Sequence, residues 1–224
     1  MSAGNTGAAD GEEFTPLIST VAGTGVAGAP NGDKEPAVSA QLNGPYGVAV
    51  DRDGTLYISE YAGHRVRKVT TDGKVSTVAG TGSPARGAEG AAAVSAPLTN
   101  PRGIAVDSAG DLYIADSGNH RIRKITMADG KVHTFAGTGA ATYDGDGGLA
   151  TAAHLNNPHD VAVDGADNVY IADYHNHRIR KVAADGKITT VAGTVAGLSP
   201  DGTLATAAQL KGPSAVAVGS AGEL

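Results

Sequence analysis

Aspartate, histidine and arginine recur together at short spacing in three places in this 224-residue chain. Asp51, Asp107 and Asp164 each end a short apolar run, and Glu60, Asp116 and Asp173 each end the next. His64, His120 and His177 follow within a few residues, leading Arg65, Arg121 and Arg178. Gathered around a channel, such side chains would bind anions or a divalent metal. Their repetition argues for a different use. A catalytic site needs asymmetry, whereas a group present in every unit satisfies the same turn each time, its carboxylate accepting from turn amides or from a neighbouring Arg or His. These positions are assigned to structure, and no catalytic residue is assigned.

Residues that break the symmetry are the ones to examine for a ligand. His154, His159 and Asp160 flank the start of the third unit, and Tyr174, His175 and His177 form a Tyr-His-Asn-His turn found only there. They are the candidate ligand-binding set on one face. An His-x-His pair binds a divalent metal when a third ligand joins it, and none is identifiable here. Asp144-Gly145-Asp146-Gly147 resembles a calcium loop but lacks the bidentate Glu of an EF-hand, so it reads as a Gly-rich surface turn. No metal site and no cofactor are assigned; calcium or zinc are the ions these residue types would suit. Gly-x-Ser-x-Gly, His-Glu-x-x-His, a phosphate-cradling loop and a dinucleotide fingerprint are all absent.

The elements that carry these residues come in tandem. Residues 43–70, 100–126 and 156–183 repeat one pattern, with its proline at Pro45, Pro101, Pro158 and Pro213. A second landmark, Val-Ala-Gly or Phe-Ala-Gly, starts at Val21, Val78, Phe135 and Val191. The period of about 57 residues marks a repeat architecture. In the unit at 101–139, Gly103–Asp107, Leu112–Ala115, Arg121–Thr126 and Val132–Ala136 read as strands rich in Val, Ile, Tyr and Thr, and Gly, Asp, Asn and Ser fill the joints. Each unit is thus a four-stranded antiparallel meander. Between units lies a connector with an Ala-rich half (AVSAQL, AVSAPL, ATAAHL, ATAAQL) that reads as one helical turn, its Leu42, Leu98, Leu155 or Leu210 packing on the sheet.

Four-stranded units in tandem predict an all-β propeller, in which radial repetition leaves few open edges. Blades are expected at 45–82, 101–139 and 158–194, with partial blades at 14–25 and 213–224 and a disordered segment at 1–13. Pro101, Gly103, Asp107, Gly110, Tyr113, Asp116, Asn119, His120, Arg121 and Arg123 match, position by position, a family pattern that the other two units share. The chain resembles the NHL-repeat propellers. Glu60, Gly63, Asp160 and Asn168 depart from the pattern. NHL-type propellers usually close with six blades, so three whole ones imply a C-terminally truncated part of a longer ring. The less favoured reading is a half-ring completed by dimerisation, with self-association through unpaired blade edges.

The resemblance implies a non-catalytic binding scaffold that presents a protein or small-molecule ligand on one propeller face. The alternative is an enzyme of the lyase or lactonase type with a metal at the central channel. RNA binding, which the resemblance to regulatory NHL proteins also raises, is a second alternative. It would use the stripe Arg65-Arg67-Lys68, Arg121-Arg123-Lys124 and Arg178-Arg180-Lys181, but solvated, salt-bridged strand edges are the expected state of those residues. A net charge of −6 speaks against a general footprint for nucleic acid or an anionic membrane. Without Cys, disulfides and thiolate sites are excluded. The N-terminal segment has neither a basic nor an apolar signal region, and the default expectation is a cytoplasmic protein with no membrane partner.

Overall fold

The computed structural model describes residues 17–28, 33–219 and 222–224. Three antiparallel sheets run in chain order, each built on a four-stranded meander; the second gains a fifth, two-residue strand, Ala91–Ala92, that pairs with its outer strand at Lys131 and Val132. The first joins β1 (Pro45–Val50), β2 (Leu56–Glu60), β3 (Arg65–Val69) and β4 (Val75–Ala79). After a two-residue strand β5 (Ala91–Ala92), the second joins β6 (Pro101–Val106), β7 (Leu112–Asp116), β8 (Arg121–Thr126) and β9 (Lys131–Ala136). The third joins β10 (Pro158–Val163), β11 (Val169–Asp173), β12 (Arg178–Val182) and β13 (Ile188–Ala192). The all-β propeller fold, with an incomplete ring of three blades, is what the repeat arithmetic predicts.

Each blade's first hairpin is tied by an aspartate. The carboxylate of Asp107 accepts from the amides of Ala109 (3.0 Å) and Asp111 (2.9 Å) and from the Tyr113 hydroxyl (3.2 Å), and Asp51 and Asp164 do the same in their own turns. The turn needs a positive φ, which Gly110 supplies at 85°. In the third blade Asp167 takes that conformation at 60°, a region aspartate tolerates better than most residues. Its carboxylate then bonds the Ser108 amide (2.9 Å) and hydroxyl (2.7 Å) of the second blade.

Inner strands pack side by side, and glycine permits the approach. A Cβ on Gly47 would lie 2.6 Å from the Arg102 carbonyl oxygen, and one on Gly103 would lie 2.5 Å from Cα of Asp160. The apolar core therefore sits between blades. One cluster, with Val66, Leu98, Ile114 and Ile125, joins the first two; another, with Ile122, Leu155, Ile171 and Ile188, joins the second and third.

The Ala-rich connector halves form single 3-10 turns at Ala37–Ser39, Ala93–Ser95 and Ala150–Ala152. Leu98 and Leu155 are buried beneath them, while Leu42 and Leu210 are half-buried. Each connector also covers the outer edge of the blade it precedes: Ala37, Ala93 and Ala150 donate to the carbonyls of Gly73, Gly130 and Gly186. That covering disposes of an edge that would otherwise be open to pairing.

Residues 17–28 and 213–219 carry no strand. The leading run expected from 14 begins outside the described residues. In its described part Leu17 and Ile18 are almost fully exposed, Gly23 and Thr24 donate to the carbonyls of Ala37 and Ala40, and Ala22 packs against the apolar cluster of the first blade. Neither segment has a sister strand of its own blade to pair with among the described residues. The disorder expected for 1–13 also lies outside them.

Candidate binding face

The repeated polar residues are consumed by the fold. Asp116 accepts from the Thr99 amide (2.7 Å) and the Asn119 side chain (2.8 Å), and Asp173 accepts from the Asn156 amide and the Asn176 side chain at 2.8 Å each. Burial pushes both carboxyls up, to about 6. In the first blade Glu60 stands in that place with Gly63 opposite instead of Asn, and its Oε2 is buried without a partner. His64, His120 and His177 sit at left-handed φ of 51°, 55° and 58°. That conformation sends Nδ1 forward to accept the amide of Asn100 (3.1 Å), Asn157 (2.9 Å) and Gly212 (3.1 Å), the residue just before the next proline. These histidines latch one blade to the next, a role that spacing within one unit does not reveal.

The basic stripe is salt-bridged as expected, but its middle arginines are not solvated. Arg67, Arg123 and Arg180 are buried. Each meets a connector carboxylate: Asp33 at 2.8 Å, Glu89 at 2.6 Å and Asp146 at 2.6 Å. The same acids accept from the amides of Thr77, Thr134 and Thr190 on the fourth strands. Period-2 alternation turns the middle arginine inward, where the connector must neutralise it. Asp146, expected in a mere surface turn, is one of these clasps. Arg65, Arg121 and Arg178 bond backbone carbonyls, and Lys124 is held by Asp107 (3.2 Å) and Asp111 (3.0 Å). Little of the stripe is left for phosphates.

The symmetry-breaking residues divide into two groups. His154 lies on the connector, where its carbonyl accepts from Arg180, and His177 is a blade latch. Asp160 occupies the space left by Gly103 and accepts from the Val216 amide (3.0 Å); burial raises its carboxyl above the ordinary range. These three do not meet. His159, Tyr174 and His175 do. The imidazole of His159 stacks on Tyr174 with centroids 3.8 Å apart at 10°, and His175 lies 5.0 Å from Tyr174.

Three residues that unit-by-unit reading missed complete the set: Tyr46, Tyr61 and Arg102. The Arg102 guanidinium lies 5.1 Å from the Tyr46 centroid and 4.9 Å from that of Tyr61, within cation–π range. Its Nη1 donates to the Tyr46 hydroxyl (3.3 Å) and to Nδ1 of His159 (3.1 Å). A ladder of rings and one cation thus crosses all three blades at the entry ends of the inner strands. The signal was in the sequence: Tyr46, Arg102 and His159 each follow the repeat proline, a position at which every unit differs.

The exit ends of the same strands form a different mouth. A cleft of about 200 Å³ is lined there by Asp51, Asp107, Asp164 and Asp167, whose carboxylates are already engaged in turns and blade links. Among the described residues no group of three or more His, Asp or Glu side chains is placed to hold a metal ion. No helix among them is long and apolar enough to cross a membrane.

With this geometry in hand, comparison with known proteins is specific. The NHL repeat family model matches residues 98–125 and 155–182, which are the Leu98 and Leu155 ends of the connectors and the first three strands of the second and third blades. The Teneurin NHL domain model matches residues 9–87. The chain belongs to the NHL-repeat family. Among relatives, this NHL chain is 33% identical to Teneurin-m of Drosophila melanogaster over 159 residues, covering 63% of the chain and 6% of that protein. It is 27% identical to NHL repeat-containing protein 2 of Bos taurus over 237 residues, covering 93% of the chain and 32% of that protein. It therefore spans only a minor part of these relatives' length. Two solved structures share the fold, each with a TM-score of 0.59. One is a protein of unknown function from Bacteroides thetaiotaomicron, at 22% identity over 76% of this chain and 41% of that one. The other is an auxiliary nutrient binding protein from Bacteroides ovatus, at 21% identity over 80% and 44%.

Proposed function

We propose that this NHL propeller segment is a non-catalytic binding scaffold whose ligand, a protein or a small molecule, seats on the face carrying Tyr46, Tyr61, Arg102, His159, Tyr174 and His175. One observation carries the reading. These side chains differ from blade to blade, yet they touch one another in a continuous row, whereas the residues common to all blades are spent on turns, latches and clasps. Rings that are partly exposed and held by neighbours supply contact area at low entropic cost, and rigid scaffolds characteristically present such residues at the ends of strands. The metal-dependent lyase or lactonase alternative has no observation of comparable weight behind it.

The test is a fragment library screened by NMR against the isotopically labelled 224-residue chain. Hits are expected to perturb signals of residues 45–47, 61, 102, 159 and 174–175. Hits gathered at the aspartate mouth, or stoichiometric calcium or zinc found in the purified protein by elemental analysis, would overturn the proposal in favour of the enzyme reading.

A further inference from the structure

The buried polar atoms left without a partner at the aromatic mouth are both donors. Arg102 makes no ion pair with any described residue; its Nη1 is engaged by Tyr46 and His159, while Nη2 meets no partner and Nε is buried without one. A guanidinium only donates, so Nδ1 of His159 must be the acceptor of that contact, and the proton of the neutral ring sits on Nε2. That Nε2 is also buried without a partner, on a residue 5% exposed. The mouth thus holds two buried donors without an acceptor, Nε of Arg102 and Nε2 of His159, beside a solvent-open Nη2 and the positive charge of the guanidinium. Buried donors left unpaired are costly and call for an acceptor.

Geometry narrows the acceptor. Nε and Nη2 form the side edge of the guanidinium, two parallel N–H groups whose spacing matches the two oxygens of a carboxylate. A single fixed cation balances a monoanion rather than a phosphate dianion. The flanking rings of Tyr46, Tyr61 and Tyr174 give a planar substituent surfaces to pack on. Nε is buried, so a ligand reaches it only when a neighbouring group moves, and Tyr46, 48% exposed and in contact with the guanidinium, has the freedom to do so.

We propose that Arg102 anchors a carboxylate carried on an aromatic or similarly planar group, received side-on by Nε and Nη2 at the mouth formed by Tyr46, Tyr61, His159 and Tyr174. This rests on the reading of that mouth as the binding face. The ligand class is then a small aromatic acid, or the carboxylate of a peptide with an aromatic neighbour.

The experiment titrates the 224-residue chain with benzoate, benzamide and phenyl phosphate, followed by NMR at the Tyr46, Tyr61 and Tyr174 rings. Benzoate is expected to bind, with benzamide at least tenfold weaker and phenyl phosphate no tighter than benzoate. Arg102→Lys, which keeps the charge and removes the fork, is expected to weaken benzoate at least tenfold, and Arg86→Lys, on an unrelated connector, to leave it unchanged. Equal binding of benzoate and benzamide, a preference for phenyl phosphate, or an unaffected Arg102→Lys protein would each overturn the proposal. Should Arg102→Lys fail to fold, the comparison of the three probes on the unaltered chain decides alone. Neutral fragments binding where benzoate does not would sink the carboxylate and leave the binding face standing; a mouth silent to every fragment and probe would sink both.

Discussion

His159 is kept neutral by two features of its surroundings: burial first, and then the positive Arg102 beside it. Together with His175 they push its pKa down to about 4. The unfolded chain takes up that proton near the ordinary pKa of about 6.5, well before the folded one does. The contribution is therefore complete above pH 6.5 and is lost as the pH falls from 6.5 through 4. Asp116 and Asp173, raised to about 6 by burial, act in the opposite sense, favouring the fold at low pH and losing that contribution as the pH rises through 6. They are present in any variant, so comparison isolates the histidine. His159→Gln is expected to flatten the acid side of the stability curve by about 1–2 kcal/mol between pH 7 and 4, once solvent screening at the open mouth is allowed for. Urea unfolding at stepped pH checks it, and parallel curves for the two proteins would show that His159 does not titrate with folding. His159 was visible in the sequence because it breaks the repeat. Arg102, at the equivalent position one unit earlier, was not, because an arginine after a proline draws no notice until its lack of a carboxylate partner is seen in three dimensions.

At the level of elements, the connectors do more than link blades. Asp33, Glu89 and Asp146 each reach the buried arginine in the third strand of the blade that follows, and each also bonds the fourth strand. Sequence pattern located the strands to within a residue or two, since β-branched runs and turn residues agree locally in every unit. It did not find the clasps, because the acid and the arginine lie about 34 residues apart and alternation alone does not say which face of the strand is covered. Glu89→Ala should leave Arg123, 2% exposed, with only neutral partners and the already engaged Asp116. A loss of about 2–3 kcal/mol is expected, below the range for a fully buried pair because Glu89 itself is half exposed. Asp72→Ala, which removes a solvent-exposed pair with Lys74, should cost far less than the Glu89 change. Chemical denaturation of the two variants side by side decides; equal costs would mean the clasp is ornamental.

Across the whole molecule, the order of blades leaves two unlike ends. Within the arc every inner strand is covered by the blade before it: Ile104 and Val161, at the centres of β6 and β10, are buried. Their counterpart Val48 in β1 is 66% exposed, with Val50 on the same face at 61%. At the far end Asp201 occupies the clasp position of a fourth connector, exposed and paired with no arginine among the described residues, and Leu204 beside it is 76% exposed. A period-2 apolar stripe of this kind, made to pack against another blade, is a surface through which soluble proteins associate. The 224-residue chain is accordingly expected to self-associate as its concentration rises. Val48→Lys places a charge in the middle of the stripe at a site already open to solvent, where the cost to folding is within about 0.5 kcal/mol. The variant should melt like the parent yet elute with a lower mass at the same loading, by size-exclusion chromatography with light scattering. The same substitution at Val161, inside the arc, should prevent folding altogether, because there the stripe is already covered by the second blade. A parent that stays monomeric at every concentration, or a Val48→Lys protein with an unchanged mass distribution, would show that the open face of the first blade is not the contact.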